Sequence, residues 1–330
     1  MTSLPRISVI IPSLNQGIFI EETILSIVNQ SYTNYEIIII DGGSTDKTLD
    51  IIKKHSSKIK YWVSEKDTGQ SEAINKGLKK TEGDIITWLN SDDYYELNTL
   101  EIIVSEFEAN PFASIIHGKA VFFGEHIKTK VIGLSSDIQL HEYLPYMRFP
   151  QPSSFFKKEV LNTIGVNNFL HYAMDFELIV KSILHGFKIK RTNHILAHYR
   201  LHKNSKSNND LEFLNEWSVI VYNLFYSYPQ AYTYMKNLED LKLIKLAEGV
   251  KYETKINLKK EEIEDIFLTH LDLHYHYNYK LFIYSHCKKI STFLKSNYYN
   301  FYMKNNYRKY NLRLNLIPKF IYKLKNALNN

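Results

Sequence analysis

Carboxylates and histidines at the ends of apolar runs are the residues of this chain that could do chemistry. Asp84 to Leu89 reads as a buried strand and runs straight into Asn90-Ser91-Asp92-Asp93. Ligands of parallel α/β sheets collect at the carboxyl ends of strands, and Asp92 and Asp93 there could hold a hard divalent cation together with phosphate oxygens. An Asp pair after a strand also serves as a turn or a helix cap. Asp175 precedes Phe176, Ile179, Val180, Ile183 and Leu184, an amphipathic helical spacing that ends at Gly186. A carboxylate there could cap the helix and complement its dipole. Ile195 to His202 alternates strictly, which puts His198, Arg200 and His202 on one strand face.

These residues need a scaffold, and the first hundred residues supply its rhythm. Ile7 to Ile11 is a strand stopped by Pro12, the loop Ser13 to Gly17 follows, and Ile20, Ile24, Ile27 and Val28 recur at helical spacing. Glu36 to Ile40 and Ile59 to Val63 are further strands. The turn Asp41-Gly42-Gly43-Ser44-Thr45-Asp46 ends the first with capping residues; Asp67-Thr68-Gly69 ends the second and leads to a helix through Ala73, Ile74 and Leu78. Strand, loop and helix therefore repeat three times before the acidic strand end, the βαβ order of a mostly parallel sheet. No G-x-G-x-x-G or G-x-x-x-x-G-K-[ST] occurs, which argues against a dehydrogenase or a P-loop ATPase. Further on, a helix is expected over Leu97 to Phe107, strands over Ser114 to Phe123 and Gln151 to Phe156, and a linker at Ser205 to Asp210.

Composition sets the outer bounds. The chain has 330 residues, enough for one large domain or two smaller ones. It has no apolar run long enough to cross a bilayer, and its first residues read as a strand rather than a signal peptide. The single Cys287 excludes a disulfide framework within the chain and suits a reducing cytoplasm. The net charge of +6 is uneven: eleven of the 41 Lys and Arg lie between Lys280 and Lys325, and no acidic residue follows Asp272. That basic, Tyr-rich tail fits either an amphipathic helix on an anionic bilayer or a helical subdomain with Lys on its outer face. It carries no nucleic-acid motif, so nucleic acid is not an expected partner.

In order along the chain, Ile7 to Asn15, Ser26 to Tyr32, Asp41 to Asp46, Gly69 to Gly77, Asn90 to Asp93, Gln151 to Phe156, Met174-Asp175 and Tyr199 to His202 resemble family 2 glycosyltransferases of bacterial polysaccharide pathways. The resemblance covers roughly residues 5 to 207. It implies a GT-A catalytic domain, Rossmann-like with a mostly parallel sheet flanked by helices, over 1–207, followed by a mainly α-helical region over 208–330. It also implies inverting transfer of a sugar from a nucleotide sugar, a UDP-sugar by first expectation, to a hydroxyl of a glycan or lipid-linked acceptor, with Mn²⁺ or Mg²⁺. Carried over residue by residue, Asp175 is the general base, and Asp92, Asp93 and His202 are the metal ligands. Pro12, Asn15, Asp41, Ser44, Asp46, Asp67, Asn75, Asn90 and Ser91 frame the nucleotide sugar, and Gln151 meets the acceptor. Two positions depart from the pattern: Gly42 stands where many relatives have a second Asp, and Asn90 opens what is elsewhere D-x-D. A non-catalytic nucleotide-sugar-binding protein of the same fold is the competing reading. The expected place is the cytoplasm, with peripheral attachment at the inner leaflet if the tail binds lipid.

Overall fold

The computed structural model describes residues 4–224 except 126, 145 and 146, together with scattered residues as far as 266. Its centre is one sheet. The strands are β1 (Ile7–Ser13), β2 (Tyr35–Asp41), β3 (Tyr61–Ser64), β4 (Ile85–Trp88), β5 (Tyr94–Tyr95), β6 (Ile115–Gly124), β7 (Lys130–Ile132), β8 (Ser154–Lys157) and β9 (Ile189–Leu201). They run in the order β3-β2-β1-β4-β8-β6-β9-β5, with β7 on β6. The half from β3 to β4 is parallel, as the βαβ rhythm requires. Beyond β4 the sheet is mixed, because β8 enters antiparallel to both β4 and β6.

The helices are α1 (Ile20–Val28), α2 (Thr48–Lys54), α3 (Gln70–Leu78), α4 (Thr99–Ala109), α5 (Lys158–Ile164), α6 (Met174–Leu184) and α7 (Asp210–Leu224). Side chains alternate across a strand, and β1 shows what that does here. Ile7, Val9 and Ile11 enter one core with Ile20, Ile24 and Ile27 of α1 and Leu100, Ile103 and Phe107 of α4. Ile10 enters the other, with Ile74 of α3, Phe176, Ile179 and Ile183 of α6, and Leu214, Trp217 and Val221 of α7. On that second face α3 lies so close that a Cβ on Gly77 would stand 2.5 Å from Ile10 Cγ2.

Two local expectations change. Pro12 does not stop β1, which continues to Ser13. Its missing N–H is tolerated because pairing with β4 ends at Ile10, leaving only the β2 side engaged. Gln151–Ser153 is a 3₁₀ turn rather than the start of a strand, and β8 begins at Ser154. The linker expected at Ser205 to Asp210 holds a 3₁₀ turn, Lys206–Asn208, and α7 then returns to the α6 layer, with Trp217 4.9 Å from Phe176 between ring centroids. The basic stretch from Lys280 to Lys325 lies outside the described residues. Among those described, no helix is long and apolar enough to cross a membrane.

At the amino edge of the sheet Ser8, Glu36 and Lys60 satisfy one another. Glu36 accepts from Ser8 Oγ at 2.6 Å and from Lys60 Nζ at 2.7 Å. Burial alone would raise its carboxyl, but those bonds and the Glu82 N–H outweigh it and leave it lowered. The open chemistry is at the other edge.

Candidate active site

At the end of β4 the chain turns through Asn90 to Asp93, closed by Asp93 N–H donating to Asn90 O at 3.0 Å. The Thr23 hydroxyl of α1 braces the turn, 3.0 Å from Ser91 O and 2.7 Å from Asp93 O. The two aspartates then part. Asp93 is buried, its Oδ1 receives Arg200 N–H at 2.8 Å, and burial followed by the neighbouring Asp92 pushes its carboxyl well above the usual range. It pins β9 to the turn rather than facing the cleft. Asp92 points outward, its Oδ2 3.0 Å from His202 Nε2, with these side chains 19% and 14% exposed.

Of the three side chains expected on one face of β9, two converge on Asp92. Arg200 donates from Nε to Asp92 O at 2.8 Å, reaches Glu22 of α1, and lies over Phe123 at 4.7 Å and Phe19 at 4.9 Å. His198 turns away to Glu96 at 2.8 Å and stacks on Tyr94. Alternation placed all three correctly; it could not say which carboxylate each would find.

The loops after β1 and β2 are laced together. Asn15, at φ 54°, donates its N–H to Ser44 Oγ at 2.7 Å and accepts Thr45 N–H on Oδ1 at 2.9 Å. Gly17 N–H donates to Asp46 Oδ2 at 2.9 Å. Burial would raise Asp46, but the Thr48 hydroxyl and N–H and the Gly17 N–H outweigh it and lower its carboxyl. Asp41 is fully buried at the end of β2, accepting from Ser44 Oγ, Ser44 N, Gly43 N and Ser64 Oγ. Its carboxylate therefore shapes the turn. A Cβ on Gly42 would stand 2.9 Å from Asp67 Oδ2, so a second Asp there would require the Asp67 carboxylate to swing aside. Burial raises Asp67, opposed by the Gly69 N–H on its Oδ1 at 3.0 Å. Ser13 Oγ, buried at the end of β1, has no hydrogen-bond partner among the described residues.

Amide side chains link α3, the end of β4 and the turn before β8. Gln70 Nε2 donates to Asn90 Oδ1 at 2.6 Å, Asn90 Nδ2 to Gln151 Oε1 at 3.3 Å, and Gln151 Nε2 to Trp88 O at 2.9 Å. Gln151 thus sits at the strand end beside Asn90. Asn75 is placed elsewhere: both ends of its amide hold the loop before α6, donating to Val166 O at 2.6 Å and accepting Val166 N–H at 3.2 Å. It braces that loop.

The loop delivers Asp175 in the first turn of α6. Burial pushes the Asp175 carboxyl up to about 6; the Phe176 N–H, 2.7 Å from Oδ1, lowers it, Glu216 raises it further and Lys206 pulls it back. Two residues that sequence reasoning missed join the groups. Lys206 reaches Gln70 Oε1 and His171 O, each at 3.1 Å, and is lowered by burial against the opposing fields of Glu216, Asp67 and Asp175. Tyr199, bonded to Ser207, is raised first by burial and then by Asp93, Asp175 and Asp92. Lys206 fell in a stretch read as linker, and Tyr199 opens the Tyr199 to His202 motif but alternates to the strand face opposite His198, Arg200 and His202.

Solved structures share this architecture. Staphylococcus aureus TarS 1-349 in complex with UDP-GlcNAc superposes with a TM-score of 0.61 over 82% of this chain and 73% of that one, at 17% identity. The fold is that of GT-A glycosyltransferases. An uncharacterized glycosyltransferase of Haemophilus influenzae is 32% identical over 173 residues, 51% of this chain and 69% of that protein. A Campylobacter jejuni GalNAc(5)-diNAcBac-PP-undecaprenol beta-1,3-glucosyltransferase is 29% identical over 171 residues, 50% of this chain and 55% of that protein. The model of Glycosyl transferase family 2 matches residues 8–167, and the chain belongs to that family. The match takes in every expected site residue from Pro12 to Gln151 and ends before Asp175 and His202.

Proposed function

We propose that this enzyme transfers one sugar, with inversion, from a UDP-sugar to a hydroxyl of a glycan or lipid-linked acceptor in surface polysaccharide synthesis. The observation that carries the proposal is convergence. Lys206 Nζ reaches both Gln70 Oε1, whose amide holds Asn90, and His171 O in the segment before Asp175, which ties the strand end to the start of α6. The neighbour solved with UDP-GlcNAc supports the donor reading, and the relative named for GalNAc(5)-diNAcBac-PP-undecaprenol supports the acceptor class.

Asp92 and His202 would hold a divalent cation, Mn²⁺ or Mg²⁺. Their oxygen and nitrogen are 3.0 Å apart, and no group of three His, Cys, Asp or Glu ligands occurs among the described residues. That set suits an ion that takes its other ligands from phosphate and water. Such an ion supplies neutralisation of the charge that develops on the leaving diphosphate. The chain's own residues do the rest. Asp175 takes the proton of the acceptor hydroxyl; with a pKa of about 6 it is mostly ionised at neutral pH yet basic enough to be useful. One such base is what inversion needs, in contrast to the two carboxylates of most glycoside hydrolases. Asn90, coupled to Gln70, offers a neutral amide to the donor, and Gln151 next to it orients the acceptor. Asp67 and the buried Ser13 hydroxyl face the nucleoside, while Asn15, Asp41, Ser44 and Asp46 hold the loops that receive it with Pro12. Asp93, Ser91 and Asn75 act through the turn and the loop that they fix. The basic stretch from Lys280 to Lys325 is the proposed contact with the inner leaflet.

In Asp175→Asn, nucleotide release from the UDP-sugar that the wild type uses should fall about 10²–10⁴-fold, with donor affinity by calorimetry unchanged. Undiminished release would remove Asp175 as the base.

A further inference from the structure

Glu216 stands on α7, beyond the expected catalytic unit, yet its carboxylate is bound where the base is presented. His171 N–H donates to its Oε1, and Tyr172 and Ala173 N–H to its Oε2, each at 2.8 Å. These three residues lead directly into α6. Charge-assisted bonds of this kind are among the stronger ones, and a carboxylate before a helix also meets the favourable end of its dipole. The register of α7 is fixed by neighbouring side chains: Trp217, Ile220 and Val221 are buried in the core shared with Phe176 and Ile179. The same loop is held from the other side by α3, through Asn75 on Val166 and through Ser71 Oγ on Leu170 O at 2.7 Å. It is gripped between two helices.

We propose that Glu216 is a positioning residue for the reaction: received by three consecutive backbone N–H groups, it fixes the segment that projects Asp175 and sets a negative charge beside it. The proposal rests on the reading of Asp175 as the base. The charged or titratable groups that face Asp175 are Glu216 from α7, Lys206 from the loop after β9 and Tyr199 from β9. Burial is the main reason the Asp175 carboxyl stands at about 6; Glu216 adds to it and Lys206 opposes it. Removing the Glu216 charge therefore lowers the Asp175 pKa, and removing its oxygens frees the three N–H groups. A glutamate that merely docked α7 would free the same N–H groups but leave the Asp175 pKa where it was.

The test is a carboxyl-carbon NMR titration of the full chain labelled at Asp Cγ, with the Asp175 signal assigned by its absence in Asp175→Asn. In Glu216→Gln the midpoint should fall by about half a unit or more. In Glu216→Ala, amide exchange at 171–173 should quicken about tenfold or more. If Glu216→Gln fails to fold, Glu216→Asp keeps the charge on a shorter arm: exchange should quicken there while the midpoint stays near the wild-type value. Wild-type midpoint and wild-type exchange in the folded variants would overturn the proposal and leave the base reading intact. Conversely, if Asp175→Asn leaves nucleotide release unchanged, the base reading fails while the Glu216 contacts stand on their own data.

Discussion

Burial pushes Asp175 up to about 6, and that value sets how the enzyme should respond to acid. As pH falls through 6 the proposed base becomes protonated, so kcat/KM should drop about tenfold per pH unit below it. A rate flat down to pH 5 would contradict this. Stability carries the opposite sign. A carboxyl raised above its unfolded value, near 4, is bound more tightly by protons in the native state, so its ionised form costs stability above pH 6 and nothing below pH 4. Asp175→Asn should therefore be more stable than wild type at pH 7.5, by about 1 kcal/mol, with the gap in Tm closing towards pH 4. At this scale sequence order singled out Asp92 and His202 as a proposed pair, whose side chains the fold sets 3.0 Å apart. It did not separate Asp92 from Asp93, since only the third dimension decides which of two adjacent carboxylates faces inward. Glu216 was invisible for a related reason: its partners are backbone N–H groups, which carry no residue code.

Elements position these groups by close approach. Gly77 lets α3 lie against β1, and α3 in turn carries Gln70, Ser71 and Asn75, which hold the strand end and the loop before Asp175. Gly77→Ala would force a Cβ to within 2.5 Å of Ile10 Cγ2, and overpacking of this kind costs about 1–3 kcal/mol. A lowered Tm, with nucleotide release reduced as α3 is displaced, is expected; a Tm equal to wild type would mean that α3 is not held where described. Hydrophobic spacing located α1, α3, α4 and α6 because each buries one stripe. It stopped β1 too early at Pro12, since the early end of β4 pairing that makes room for a proline is a non-local fact. It read Gln151 as strand because the apolar residues after it belong to β8. Asn75 was assigned to the donor from motif position alone, whereas its amide turns to Val166.

At the scale of the molecule, the parallel half of the sheet was legible from the βαβ rhythm, and the mixed half was not. Local periodicity says that β6, β8 and β9 exist; it does not say that β8 inserts between β4 and β6, or that β5 closes the far edge on β9. Nor does it say that α7 returns to the α6 layer, which makes residues past 207 part of the support for Asp175. The resulting cleft is the central claim: a nucleotide-sugar site whose strand-end carboxylate acts through a divalent ion. The measurement that tests it most directly is nucleotide release from a panel of UDP-, GDP-, CMP- and dTDP-sugars, with Mn²⁺ or Mg²⁺ and with EDTA, for wild type and Asp92→Ala. Release from a UDP-sugar that disappears with EDTA and falls about a hundredfold or more in Asp92→Ala is the expected result. Release unaffected by the chelator and by the substitution would contradict it.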